Sequence, residues 1–68
     1  MTKFIEYTDL IGHRVLVNVN GVKEVLDRNK TIVITLDNVK VQLPIAYTTF
    51  KYWLLDKESA ILEAGTAL

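Results

Sequence analysis

The sequence predicts a mainly β protein of the α+β class, with an antiparallel meander of four to five strands, open or curled into a small barrel, and a C-terminal amphipathic helix. From Lys3 to Leu43, apolar and polar residues alternate with the period of two that places successive side chains on opposite faces of a strand. From Ala46 onward, the apolar spacing changes to that of a helix.

The length of 68 residues is enough for one domain and too short for two. All apolar segments are therefore expected to share one core in a single domain that spans residues 1–68. Its predicted parts are a β-meander over 3–43, a helical segment over 46–64 and a frayed tail over 65–68.

The first two strands are predicted over Lys3–Thr8 and Arg14–Val19, with a turn at Asp9–His13 between them. The second strand has the clearest half-buried pattern, because one of its faces carries three valines: Val15, Val17 and Val19.

The segment that follows the second strand has two interpretations. Asn20-Gly21 is a dipeptide typical of tight hairpins, which would pair Arg14–Val19 with a third strand over Val22–Leu26. Alternatively, residues 18–21 form a short helical or looped connection. Alternation in Val22–Leu26 is imperfect, and a bulge would explain it.

Two hairpins are predicted next in the chain. The polar segment Asp27–Lys30 is expected to be a four-residue loop before a strand over Thr31–Leu36. A two-residue turn at Asp37-Asn38 would join this strand to the last one, Val39–Leu43.

The helical segment begins after Pro44, which cannot donate a hydrogen bond to a strand ladder. Its apolar stripe is interrupted at Lys57 and Glu58. Either the helix breaks near Asp56 and a second short helix covers 57–64, or one helix leaves the core at its end.

The overall charge and composition favour association with protein. Eight basic residues balance eight acidic ones, so no basic field exists to attract nucleic acid, and nucleic-acid binding is not expected. Half of the residues are apolar and none is a cysteine, so disulfides cannot support the small core and some apolar surface is expected to need a partner. We expect a homo-oligomer or a complex with another protein.

Residues for catalysis are sparse in this sequence. It contains one His, one Ser and no Cys, and nothing links His13, expected in an exposed turn, to Ser59. The scattered carboxylates and isolated glycines predict no catalytic residue, metal site or cofactor, so an enzyme is not expected. No leader sequence or membrane-spanning stretch is recognisable, which predicts a cytoplasmic protein without membrane contact.

An aromatic cluster in the helical segment supplies the candidate interface. Four of the six aromatic residues lie between Tyr47 and Trp53. On a helical wheel, Tyr52 and Leu55 project away from the stripe expected to pack on the sheet, and Trp53 lies at its border. Aromatic side chains are favoured at protein interfaces. The predicted interface therefore consists of Tyr52, Trp53 and Leu55.

Three segments, Phe4–Asp9, Arg14–Val19 and Thr31–Leu36, together resemble small bacterial proteins of the FlbD or swarming-motility type. A more distant similarity exists to the strand tier of LytTR-type DNA-binding domains. These resemblances imply no catalytic residue. The expected function is that of a small non-enzymatic accessory or regulatory protein that acts through protein contacts, with a nucleic-acid-binding module of small-barrel type as the alternative.

Overall fold

A computed structural model describes residues 2–68 and contains six strands and one α-helix over that range. The elements are β1 Phe4–Thr8, β2 Arg14–Asn18, β3 Val22–Arg28, β4 Lys30–Thr35, β5 Lys40–Leu43, α1 Tyr47–Leu55 and β6 Ile61–Thr66. They confirm the mainly β class. The strands form two three-stranded sheets, with the orders β2-β1-β6 and β3-β4-β5.

The predicted single meander is wrong, because only β3, β4 and β5 form one. In the other sheet, β1 pairs antiparallel with β2 and parallel with β6. Over residues 2–68, the two sheets do not close into a barrel. A backbone hydrogen bond of 2.9 Å from the Leu68 N–H to the Gln42 carbonyl joins the end of the chain to β5.

The connection between β2 and β3 carries the chain from one sheet to the other. Of the two interpretations of residues 18–21, the hairpin is wrong and the short helical connection is confirmed, as a 3₁₀ turn over Val19–Gly21. The Asn18 side chain accepts the Asn20 N–H at 2.9 Å. This bond satisfies a backbone donor locally, which favours the turn over a continued strand.

The two hairpins of the β3-β4-β5 sheet form near the predicted positions with different lengths. Arg28 pairs with Lys30 across a single residue, Asn29, which takes a φ of +66° instead of forming the predicted four-residue loop. Asn38 takes a φ of +64° in the second connection. Asparagine tolerates this left-handed region better than most residues. The predicted bulge in β3 is confirmed between Val22 and Glu24.

The predicted break of the helix near Asp56 is confirmed, but the second short helix over 57–64 and the alternative of one helix reaching 64 are both wrong. The helix ends where the Asp56 N–H bonds to the Tyr52 and Trp53 carbonyls, each at 3.1 Å. Residues 61–66 form β6 instead, because β1 offers an unpaired edge and Ala64 can be buried against the core. Pairing with β1 outweighs the helical preference of these residues.

The predicted frayed tail is also wrong. Ala67 is buried, and its N–H donates to the Thr8 carbonyl at 2.8 Å. Thr66 still belongs to β6. The segment that follows β6 therefore packs against both sheets.

The core lies between the two sheets, and α1 contributes its buried side chains to it. Its buried members are Ile5, Val33, Leu43, Phe50, Trp53 and Ala64. Thr31 is fully buried beside them, and its hydroxyl donates to the Ile45 carbonyl at 2.9 Å. Within residues 2–68, no helix has the length and hydropathy needed to cross a bilayer.

Candidate functional interface

The turn between β1 and β2 is held by hydrogen bonds to one side chain. Asp9 Oδ1 accepts the N–H groups of Ile11 at 3.1 Å and of His13 at 2.8 Å. The Asp9 N–H donates to the His13 carbonyl at 2.8 Å, and Gly12 at a φ of +90° closes the turn. A glycine suits this left-handed conformation because it has no Cβ. The backbone of the turn is thus fixed from within.

This fixed turn holds two large aliphatic side chains in water. Leu10 and Ile11 are each 77% exposed, more than any other large apolar side chain that the structure describes. Burying such a side chain fully is favourable by about 1.5–3 kcal/mol. The turn therefore presents apolar surface that a partner can cover without first ordering the backbone.

An apolar groove of about 350 Å³ lies beside the turn. Its lining combines the turn with the start of β5, the end of β1 and the chain after β6. We call the following set the groove surface: Tyr7, Asp9, Leu10, Ile11, Val39, Lys40, Val41, Gln42, Ala67 and Leu68. Val39 and Leu68 are exposed like the turn residues, whereas Val41 is half-buried. The groove surface is a shallow concavity next to a protrusion.

Two opposite charges and one phenol belong to the groove surface. Asp9 and Lys40 both line it. Burial raises the pKa of the Tyr7 phenol above its ordinary value, and the negative charge of Asp9 adds to the effect. Tyr7 is therefore neutral at physiological pH and contributes mainly its ring to the apolar lining.

The structure separates the three residues of the predicted interface. Tyr52 and Leu55 are 72% and 70% exposed on the outer face of α1, where a contact with protein stays a prediction. Trp53 is only 6% exposed and packs edge-on against Phe50, with ring centroids 5.6 Å apart. Its side chain is part of the core and does not share a surface with the other two.

Sequence reasoning missed Leu10 and Ile11, which it assigned only to a turn. Turns are usually built from small and polar residues. Two consecutive large aliphatic residues between Asp9 and Gly12 were the available signal. His13 is exposed in this turn, as predicted. Among residues 2–68, no three His, Asp or Glu side chains are placed to hold a metal ion together.

Replacing Asp9 by alanine is expected to loosen the turn and to lower the free energy of unfolding by about 1–2 kcal/mol, because two N–H groups lose a charged acceptor. Urea denaturation followed by circular dichroism measures this change. Asp9→Asn is the matched control, since its amide oxygen can accept the same two hydrogen bonds. Equal stability of Asp9→Ala and the unchanged protein would show that the turn is held in another way.

Comparisons of the chain with protein-family models, with curated proteins and with solved structures gave no match.

Proposed function

We propose that this chain is a small, non-enzymatic accessory or regulatory protein that acts by binding protein through the groove surface. The observation that carries the proposal is the fixed turn at Asp9, which displays Leu10 and Ile11 beside an apolar groove. Contiguous exposed apolar surface of this kind marks interaction sites on proteins.

The composition of the groove surface matches the anatomy of protein interfaces. Such interfaces have an apolar centre that lacks charges and a polar rim that stays in contact with water. Here the exposed aliphatic side chains of Leu10, Ile11 and Val39 line the same groove, and its charges are limited to Asp9 and Lys40. A protein partner would bury the aliphatic side chains and could form ion pairs with the two charged residues.

The groove surface is a better candidate than the outer face of α1. Tyr52 and Leu55 are similarly exposed, but none of the concavities described for residues 2–68 includes either of them. Shape complementarity is part of what makes an interface specific. The groove supplies both exposed apolar area and a concave shape.

A capture experiment with matched variants tests the proposal. The purified protein, Ile11→Asp and Leu55→Asp are immobilised and exposed to an extract of the native host, and bound proteins are quantified. Both variants place a carboxylate on a highly exposed aliphatic position, so both are expected to keep the fold. The original protein and Leu55→Asp should retain the same proteins, and Ile11→Asp should lose them because a charge would be buried in the contact.

Two outcomes would contradict the proposal. One is capture that survives Ile11→Asp but is lost with Leu55→Asp, which would place the contact on the helix. The other is capture that disappears after nuclease treatment and weakens steeply with salt, which is the behaviour of a nucleic-acid-binding module.

A further inference from the structure

We infer that the groove surface binds a second copy of this chain in a two-fold symmetric dimer, with the Leu10-Ile11 turn of each copy seated in the groove of the other. This inference rests on the proposed function and names its partner.

Self-complementary shape is the first argument. A two-fold interface uses the same patch on both subunits, so a protruding part must face a concave part of that patch. The groove surface contains both, because the side chains of Leu10 and Ile11 stand out at one side of the groove that they line. One rotation therefore places each protrusion opposite the other copy's concavity.

The groove surface also carries complementary charges. Asp9 and Lys40 lie on the same patch with opposite signs. A two-fold axis that passes between Asp9 and Lys40 would bring Asp9 of each copy to Lys40 of the other, so the pair would form twice. Within residues 2–68, the salt bridge of the structure joins Arg14 to Glu6 at 3.6 Å, so neither groove charge takes part in an ion pair there.

The area required is the third argument. The smallest stable dimers bury about 600 Å² on each copy. The chain has a surface of 4668 Å², so such a contact would take roughly an eighth of it. The apolar part of that contact would come from Leu10, Ile11, Val39 and Leu68, whose side chains are all more than half exposed. The expected dimer is at the weak end of the range, with dissociation in the micromolar region or above.

Sedimentation equilibrium from micromolar to millimolar concentration tests the inference. The original protein and Leu55→Asp should form a dimer with the same dissociation constant, whereas Ile11→Asp should weaken it by about 30-fold or more, as for a central contact residue. Circular dichroism checks the fold of each variant, and Leu10→Lys replaces Ile11→Asp if the latter does not fold.

A double-mutant cycle tests the orientation of the two copies. Asp9→Asn keeps the acceptor that holds the turn and removes only the charge, and Lys40→Gln removes the opposite charge. If each Asp9 meets Lys40 of the second copy, the double variant should dissociate little more readily than either single variant. Strictly additive effects would overturn the arrangement in which Asp9 of each copy faces Lys40 of the other.

The inference and the proposed function can fail separately. A monomer at millimolar concentration overturns the dimer. If such a monomer still captures other proteins in an Ile11-dependent way, the groove surface binds a different partner and the proposed function stands. If Ile11→Asp changes neither self-association nor capture, both fail.

Discussion

Replacing Trp53 by alanine is expected to lower the free energy of unfolding by about 3–5 kcal/mol, the usual effect of removing a buried aromatic side chain. Trp53 is 6% exposed and packs against Phe50 in the core. A domain of this size rarely has more than about 3–5 kcal/mol of net stability. The variant is therefore expected to be largely unfolded at room temperature.

Urea denaturation followed by far-ultraviolet circular dichroism measures this effect, since the variant lacks the fluorescent indole. Tyr52→Ala is the matched control on the same helix, and its exposed side chain predicts a change within about 0.5 kcal/mol. Equal midpoints for the Trp53→Ala variant and the original protein would contradict the position of this side chain in the core.

The indole N–H of Trp53 adds a second expectation. It is buried and has no hydrogen-bond partner within residues 2–68. Trp53→Phe should therefore be much milder than Trp53→Ala, because it keeps an aromatic ring in the core and loses no hydrogen bond.

Replacing Lys3 by methionine is expected to lower the free energy of unfolding by about 2–3 kcal/mol, because charged hydrogen bonds and a cation–π contact are lost together. The Lys3 ammonium donates to the carbonyls of Trp53 at 3.0 Å, Asp56 at 2.5 Å and Ser59 at 2.5 Å. It also lies 4.7 Å from the centroid of the Trp53 ring. Positive charge is favoured at the carboxyl end of a helix, and the Trp53 and Asp56 carbonyls lie at that end of α1.

Methionine is a suitable replacement because it keeps an unbranched apolar chain and removes the charge. Lys51→Met is the control, since Lys51 is exposed on α1. Thermal or urea denaturation should place the control close to the original protein and Lys3→Met clearly below it. Equal stability of the two variants would show that the ammonium does not hold β1 to the end of the helix.

Local pattern predicted much of the strand structure. Val15 and Val17 are the less exposed residues of β2, as predicted, and the irregular alternation after Val22 does mark a bulge. These features depend on neighbouring residues only, through side-chain alternation along a strand. The start of α1 could be predicted for the same reason, because Pro44 and the change in apolar spacing after it are local features.

The part that could not be predicted depends on distant segments. Residues 61–66 have a composition that suits a helix, but the free edge of β1 recruits them as a parallel strand. This pairing brings Ala67 and Leu68 back to β1 and β5, where they line the groove. The candidate site therefore exists only once β6 has formed, and a sequence interpretation with a helix there could not contain it.

The burial of Trp53 has a related cause. On a helical wheel, Trp53 lies at the border of the apolar stripe, so the pattern does not decide whether its side chain is buried or exposed. In the structure, Phe50 and Trp53 of α1 are both buried in a core that contains residues of both sheets, and the Lys3 ammonium lies over the indole ring. Leu54, the next residue of α1, is 40% exposed.

Two copies of this protein are expected to meet through the groove surface and not through the helix face. A dilution series of amide nuclear magnetic resonance spectra tests it most directly, since each residue reports on its own surroundings. We predict concentration-dependent shifts at Leu10, Ile11, Val39 and Leu68, with Tyr52 and Leu55 unchanged. Shifts confined to Tyr52 and Leu55, or spectra that do not change up to millimolar concentration, would contradict the account.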